Sequence, residues 1–173
     1  MLRVSRITDY GTLVLSQMAR FPERVHSASD LAQVLGLGLP TVSKVLKGLA
    51  RHELVTSVRG LHGGYSLTRA PERITVAQIV DALEERPFGL TECSATTGLC
   101  DIEDACRIRS NWRSISGIVR RALEDVSLAD MVGPPQQWSV DVASIRRPGA
   151  AAGPKHARED ADNRSETTGS PSR

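Results

Sequence analysis

Five stretches of this 173-residue chain place apolar residues at helical spacing, and turn or capping signals separate them. The first runs from Thr8 to Arg20, with Leu13, Val14, Met18 and Phe21 recurring and Thr8 placed to cap the first turn. The second, Ala28 to Leu35, follows Ser27. Asp30 three positions on gives a capping-box-like start, and Gly36 supplies a C-cap. The third opens at Pro40, whose missing N–H costs nothing in a first turn. It continues to about His52 with Val42, Val45, Leu46 and Leu49 on one face. Thr75 caps a fourth over Val76 to Glu85, striped by Val76, Ile79, Val80 and Leu83. The fifth is long, from about Arg107 to Met131, with Ile108, Trp112, Ile115, Ile118, Val119, Ala122, Val126 and Met131.

Between the third and fourth helices the period changes from helical to extended. Leu54–Val58 is short and β-branched, Arg59–Gly64 contains three glycines, and Tyr65–Thr68 returns as a second strand. The order predicts two helices joined by a glycine turn and then a β-hairpin, which is a helix-turn-helix with a wing. The fold class expected is mainly α: a winged helix-turn-helix with a small β-hairpin wing and a long C-terminal dimerisation helix. An apolar stripe on a helix beyond the domain suits pairing with a second copy, and a two-fold protein suits a two-fold operator.

Net charge is only +2, so bulk charge says nothing about nucleic acid; the distribution does. Pro40, Thr41, Ser43, Lys44 and Lys47 stand at the start and on the open face of the third helix. There hydroxyls and ammonium groups suit base edges and phosphates. Arg59 and His62 sit at the hairpin tip, where an arginine can enter a narrow minor groove. These seven residues are the predicted DNA contacts. No phosphate-binding loop follows the glycines, because no helix opening with Lys-Ser or Lys-Thr comes after them.

All three cysteines, Cys93, Cys100 and Cys106, fall within fourteen residues. Scattered core cysteines would not cluster so, and three thiolates on a glycine-containing loop can converge on a metal or an iron–sulfur cluster. The chain carries neither a signal-peptide pattern nor a membrane-spanning run. The expected setting is therefore cytoplasmic and reducing, where such a cluster of cysteines binds metal more readily than it forms a disulfide framework. No Cys-x-x-Cys pair or neighbouring histidine base supports a thiol enzyme, and no enzymatic activity is expected. A structural zinc module and a disulfide switch between Cys100 and Cys106 are the competing uses of the thiols.

The Leu13-to-Arg20 helix, the Ser27–Ala32 helix start, the wing Ser57–Leu67 and the cysteine triad together resemble the IscR-like winged-helix regulators over about residues 1–131. That resemblance implies a homodimeric bacterial transcription regulator that binds double-stranded operator DNA and senses iron–sulfur cluster status. Its targets would be cluster-assembly genes, with nitric-oxide or redox sensing as the alternative. It assigns Cys93, Cys100 and Cys106 as ligands of an iron–sulfur cluster, of the 2Fe-2S type in preference to 4Fe-4S. The first gap here is six residues where the family more often has five. Some members place a histidine three positions after the last cysteine; Arg109 stands there and cannot ligate. Others use an aspartate near the start of the first helix, given by the partner subunit, which Asp9 matches; Glu103 and Asp104 are its rivals.

The expected organisation is a DNA-binding domain over 1–88, a cysteine loop over 89–106, a dimerisation helix over 107–132 and a disordered tail over 133–173. The tail is poor in large apolar residues and rich in Ala, Gly, Pro, Ser and charge.

Overall fold

A computed structural model of the chain describes residues 4–60, 63–84, 87–98 and 100–134; the predicted tail lies almost wholly outside them. The element order is α1 (Arg6–Ala19), α2 (Ala28–Leu35), α3 (Leu39–Arg51), β1 (Val55–Val58), β2 (Gly64–Leu67), a 3-10 turn at Pro71–Arg73, α4 (Val76–Leu83), α5 (Glu92–Ala95), α6 (Arg109–Glu124) and α7 (Leu128–Val132). This is the mainly helical winged fold the pattern predicts. No helix among the described residues is long and apolar enough to cross a membrane.

One core holds the helices and the wing together. Val14, Leu15 and Met18 of α1, Leu31 of α2, Val42, Val45, Leu46 and Leu49 of α3, Ile79 and Leu83 of α4, and Leu128 of α7 pack into a single cluster. Removing a side chain of leucine size from such a cluster costs about 2–5 kcal/mol. α2 and α3 pack together as the helix pair, with Gly36 in the left-handed region (φ 64°) closing α2. Pro40 lies in the first turn of α3 as expected. After α3, Glu53 (φ 56°) turns the chain sharply into the wing, and Thr68 Oγ1 donates to its carbonyl at 2.6 Å.

The wing is antiparallel, in register Val55↔Leu67, Thr56↔Ser66, Ser57↔Tyr65 and Val58↔Gly64. It is also anchored sideways. His26 and Tyr65 exchange backbone hydrogen bonds of 2.8 Å each, so the loop between α1 and α2 acts as a one-residue third strand. The His26 ring is buried, with Nε2 3.1 Å from the Phe21 carbonyl.

Three expectations need correction. Thr8 does not cap α1: Ser5 does, its hydroxyl accepting from the Thr8 N–H at 3.3 Å, and Thr8 is buried inside the helix. Leu13 and Phe21 are exposed while Leu15 is buried, because the inward stripe is Thr8, Gly11, Val14, Leu15 and Met18. The single helix expected from Arg107 to Met131 is two helices. Ser127 caps α7 in a capping box with Asp130, and the break pairs with the start of α4. Val76 N–H donates to Val126 O at 2.9 Å and Leu128 N–H to Ile74 O at 2.7 Å. Leu128 is then fully buried, so docking α7 against α1 outweighs continuing α6.

Candidate nucleic-acid interface and cysteine loop

α3 is amphipathic with little ambiguity. Its buried stripe forces the intervening positions outward, so Pro40, Lys44 and Lys47 are exposed and Thr41 and Ser43 half-buried. Among these, Pro40, Ser43, Lys44 and Lys47 line one side of an open groove whose far side is Ser57 of β1 and Tyr65 of β2. Arg51, at the end of α3, adds a third cation to the same groove. A groove with cations on a helix face and hydroxyls on a hairpin can take a polyanionic backbone against the helix. Arg59 is exposed at the wing tip; His62 lies outside the described residues. Sequence reasoning missed Arg51, Ser57 and Tyr65. Ser57 and Tyr65 are cross-strand partners that only the hairpin register brings to α3.

The cysteine loop begins after α4 and ends at α6. Cys93 lies in the single turn of α5 and is buried, with its Sγ 3.4 Å from Thr91 Oγ1; Cys100 and Cys106 are half-buried. All three thiols are free. The donor set therefore suits an iron–sulfur cluster in chemistry, since three unpaired soft ligands stand within fourteen residues. It is not gathered in position: among the described residues no three side chains of ligating type lie close enough together to hold a metal ion.

Glu103 is the buried carboxylate of this loop. It accepts from the Gly98 N–H at 2.5 Å and forms an ion pair with Arg109, with Arg113 at 4.0 Å. Arg113 also donates to Thr97 Oγ1 at 3.1 Å. Glu103 is thus engaged in tying the loop to the first turns of α6. Arg109, three positions after Cys106, is thereby paired. Asp104 is exposed.

Asp9 is exposed in the first turn of α1. It lines a cavity between α1, α4 and α6, together with Glu84, Phe88, Gly89, Val119 and Leu123. Burial pushes the Glu84 carboxyl up, but donation from Thr8 Oγ1 at 2.7 Å and from the Ser5 N–H at 3.0 Å outweighs it and holds Glu84 below its ordinary range. Asp81 of α4 holds Arg120 of α6 by two hydrogen bonds, and this pairing keeps the guanidinium firmly charged.

Comparison with known proteins bears on this arrangement. The family model Rrf2, described as an iron-dependent transcriptional regulator, matches residues 4–134. Among solved structures, the chain is similar to CymR, the global cysteine regulator of B. subtilis, at 27% identity and a TM-score of 0.60, covering 76% of this chain and 97% of that one. It is similar to T. potens IscR at 30% identity and a TM-score of 0.56, covering 76% and 86%. Staphylococcus aureus CymR, at 22% identity and a TM-score of 0.57 over 77% and 100% of the two chains, shares the fold.

Proposed function

This chain belongs to the Rrf2 family of transcriptional regulators, which are DNA-binding proteins and not enzymes, and on that footing we propose that it binds a duplex operator through α3 and the wing under control of its cysteine loop. The observation that carries the reading is the groove between Lys44 and Lys47 on α3 and Ser57 and Tyr65 on the wing. In that groove Lys44, Lys47 and Arg51 neutralise phosphates, Thr41 and Ser43 approach base edges, Arg59 reaches the adjoining minor groove, and His62 is a candidate phosphate contact. The active species is a homodimer, since a single α3 reads only one half-site. The exposed Ile108 at the start of α6 and Trp112 and Ile115 on it supply its apolar seam.

The loop sets when the protein binds. Cys93, Cys100 and Cys106 would hold an iron–sulfur cluster, 2Fe-2S in preference to 4Fe-4S, with Asp9 of the partner subunit as an oxygen ligand. When bound, such a group supplies a redox- and gas-sensitive anchor for three thiolates at once. The chain's own part is to position the loop: Glu103 ties it to Arg109 and Arg113, and Arg120 ties α6 to Asp81. Control of cluster-assembly genes fits this reading, with nitric oxide as the alternative signal. The free, half-buried Cys100 and Cys106 also support a second reading, a thiol switch without a cluster.

Anaerobic purification followed by iron and acid-labile sulfide analysis separates these. Both elements bound in wild type and lost in Cys100→Ala support the cluster. Zinc without sulfide makes the loop a structural metal site, and neither element leaves the thiol switch.

A further inference from the structure

Leu83, the last residue of α4, fills a socket built from two glycines on two other helices. A Cβ at Gly48 of α3 would lie 2.9 Å from Leu83 Cδ2, and a Cβ at Gly11 of α1 would collide with Leu83 Cδ1. A Cβ at either position would have to displace the Leu83 methyls. The next residue, Glu84, is fixed as well, since it accepts from Ser5 N–H and Thr8 Oγ1 at the start of α1. Five residues later the chain lies against the turn that carries Cys93: a Cβ at Gly89 would lie 2.6 Å from the Ala95 Cβ of α5. Leu83, packed against the recognition helix, and Gly89, packed against the turn that carries Cys93, are thus six positions apart in the chain.

We infer that Leu83 is a positioning residue that couples the recognition helix to the cysteine loop: a shift at the loop reaches α3 through the Leu83–Gly48 contact. The inference rests on the reading that the loop carries the signal, but its test does not need the trigger. If the contact couples the two places, a disturbance imposed at α3 should also appear at the loop. Packed side chains transmit such a disturbance because the core cannot absorb it by compression.

The test is the rate at which iodoacetamide modifies Cys93, mapped by mass spectrometry on the full-length protein without metal. Gly48→Ala pushes Leu83 from the α3 side and Gly11→Ala from the α1 side. Each is expected to raise the Cys93 rate by roughly 2- to 30-fold, the range that pairwise coupling usually spans. Leu31→Ala serves as the comparison, because Leu31 is buried on α2, which packs on α1 and α3. It weakens the same core without touching the socket and should leave Cys93 near the wild-type rate once global unfolding is accounted for. In a Leu83→Ala background, which removes the methyls that the new Cβ would meet, Gly48→Ala should add nothing. Should Gly48→Ala misfold, Gly11→Ala compared across the Leu83 and Leu83→Ala backgrounds decides the point alone. Equal rates in Gly48→Ala and wild type, or the same rise in Leu31→Ala, overturns the inference. A protein devoid of iron and sulfide would sink the cluster reading and leave this result standing.

Discussion

Arg120 of α6 holds Asp81 of α4 through a bidentate pair, Nη1 to Oδ1 and Nη2 to Oδ2, each 2.5 Å. Through its Nε it also meets Glu124 one turn on, at 2.9 Å. The pair pins the helix that follows the cysteine loop against the helix that precedes it, so the loop is closed at its base. Both partners are partly exposed, which screens the attraction. Arg120→Ala is expected to cost about 0.5–1 kcal/mol, near the upper end for surface pairs because the geometry is bidentate. Urea denaturation at low and at high salt checks this, and the difference from wild type should shrink as salt rises.

Acid should loosen the junction between α1 and α4. Glu84 is held below its ordinary value of 4.5 in the folded chain, so its contribution is fully present above that value. It is lost as pH falls through the lower, folded value. Asp130, lowered by the Ser127 hydroxyl and N–H, acts in the same direction at the cap of α7. A Glu84→Gln variant should therefore be less stable than wild type at neutral pH and converge with it as the solution is acidified, measured by thermal unfolding across pH. A gap that stays constant with pH would contradict the assignment.

The two faces of α3 should separate stability from DNA binding. Leu46 is fully buried, and Leu46→Ala is expected to cost about 2–5 kcal/mol of stability. Lys47 is exposed on the groove side. Lys47→Ala should leave the unfolding midpoint nearly unchanged and weaken binding to every duplex. It should also reduce the salt slope of the affinity by about 0.9. Urea unfolding alongside salt-dependent fluorescence anisotropy reads both quantities on the same samples.

The seat of the wing on the α1–α2 loop depends on Gly64. A Cβ there would strike the His26 backbone, which exchanges hydrogen bonds with Tyr65. Gly64→Ala should prise the wing from the α1–α2 loop and lower DNA affinity while the helical content stays. Circular dichroism together with anisotropy titration distinguishes that from general unfolding.

How much of this was legible in the chain differs by element. α3 was plain because Val42, Val45, Leu46 and Leu49 form one clean stripe, and all four are fully buried. α1 was misread by one position because Leu13, Val14 and Leu15 are consecutive, and the period alone cannot say which of the three faces out. The break between α6 and α7 was signalled by Ser127 three positions before Asp130, but the apolar stripe continues across it and masked the cap. The thiols were legible as a cluster in sequence; their positions were not, because loop geometry follows from contacts such as Glu103 with Arg109 and Gly98. Nothing local marks the Leu83 socket, which is assembled from three segments far apart in the chain.

The central claim is that the groove between α3 and the wing binds duplex DNA to a degree set by the cysteine loop. The most direct measurement starts from genomic duplex fragments selected by the anaerobically prepared protein, and titrates one selected fragment with protein before and after iron and sulfide are removed. The account predicts a defined fragment, an affinity that differs by about tenfold or more between the two states, a free-energy difference of about 1.4 kcal/mol, and loss of binding in the Lys44→Ala/Lys47→Ala variant. Failure to select any fragment, or one affinity shared by both states, would contradict it.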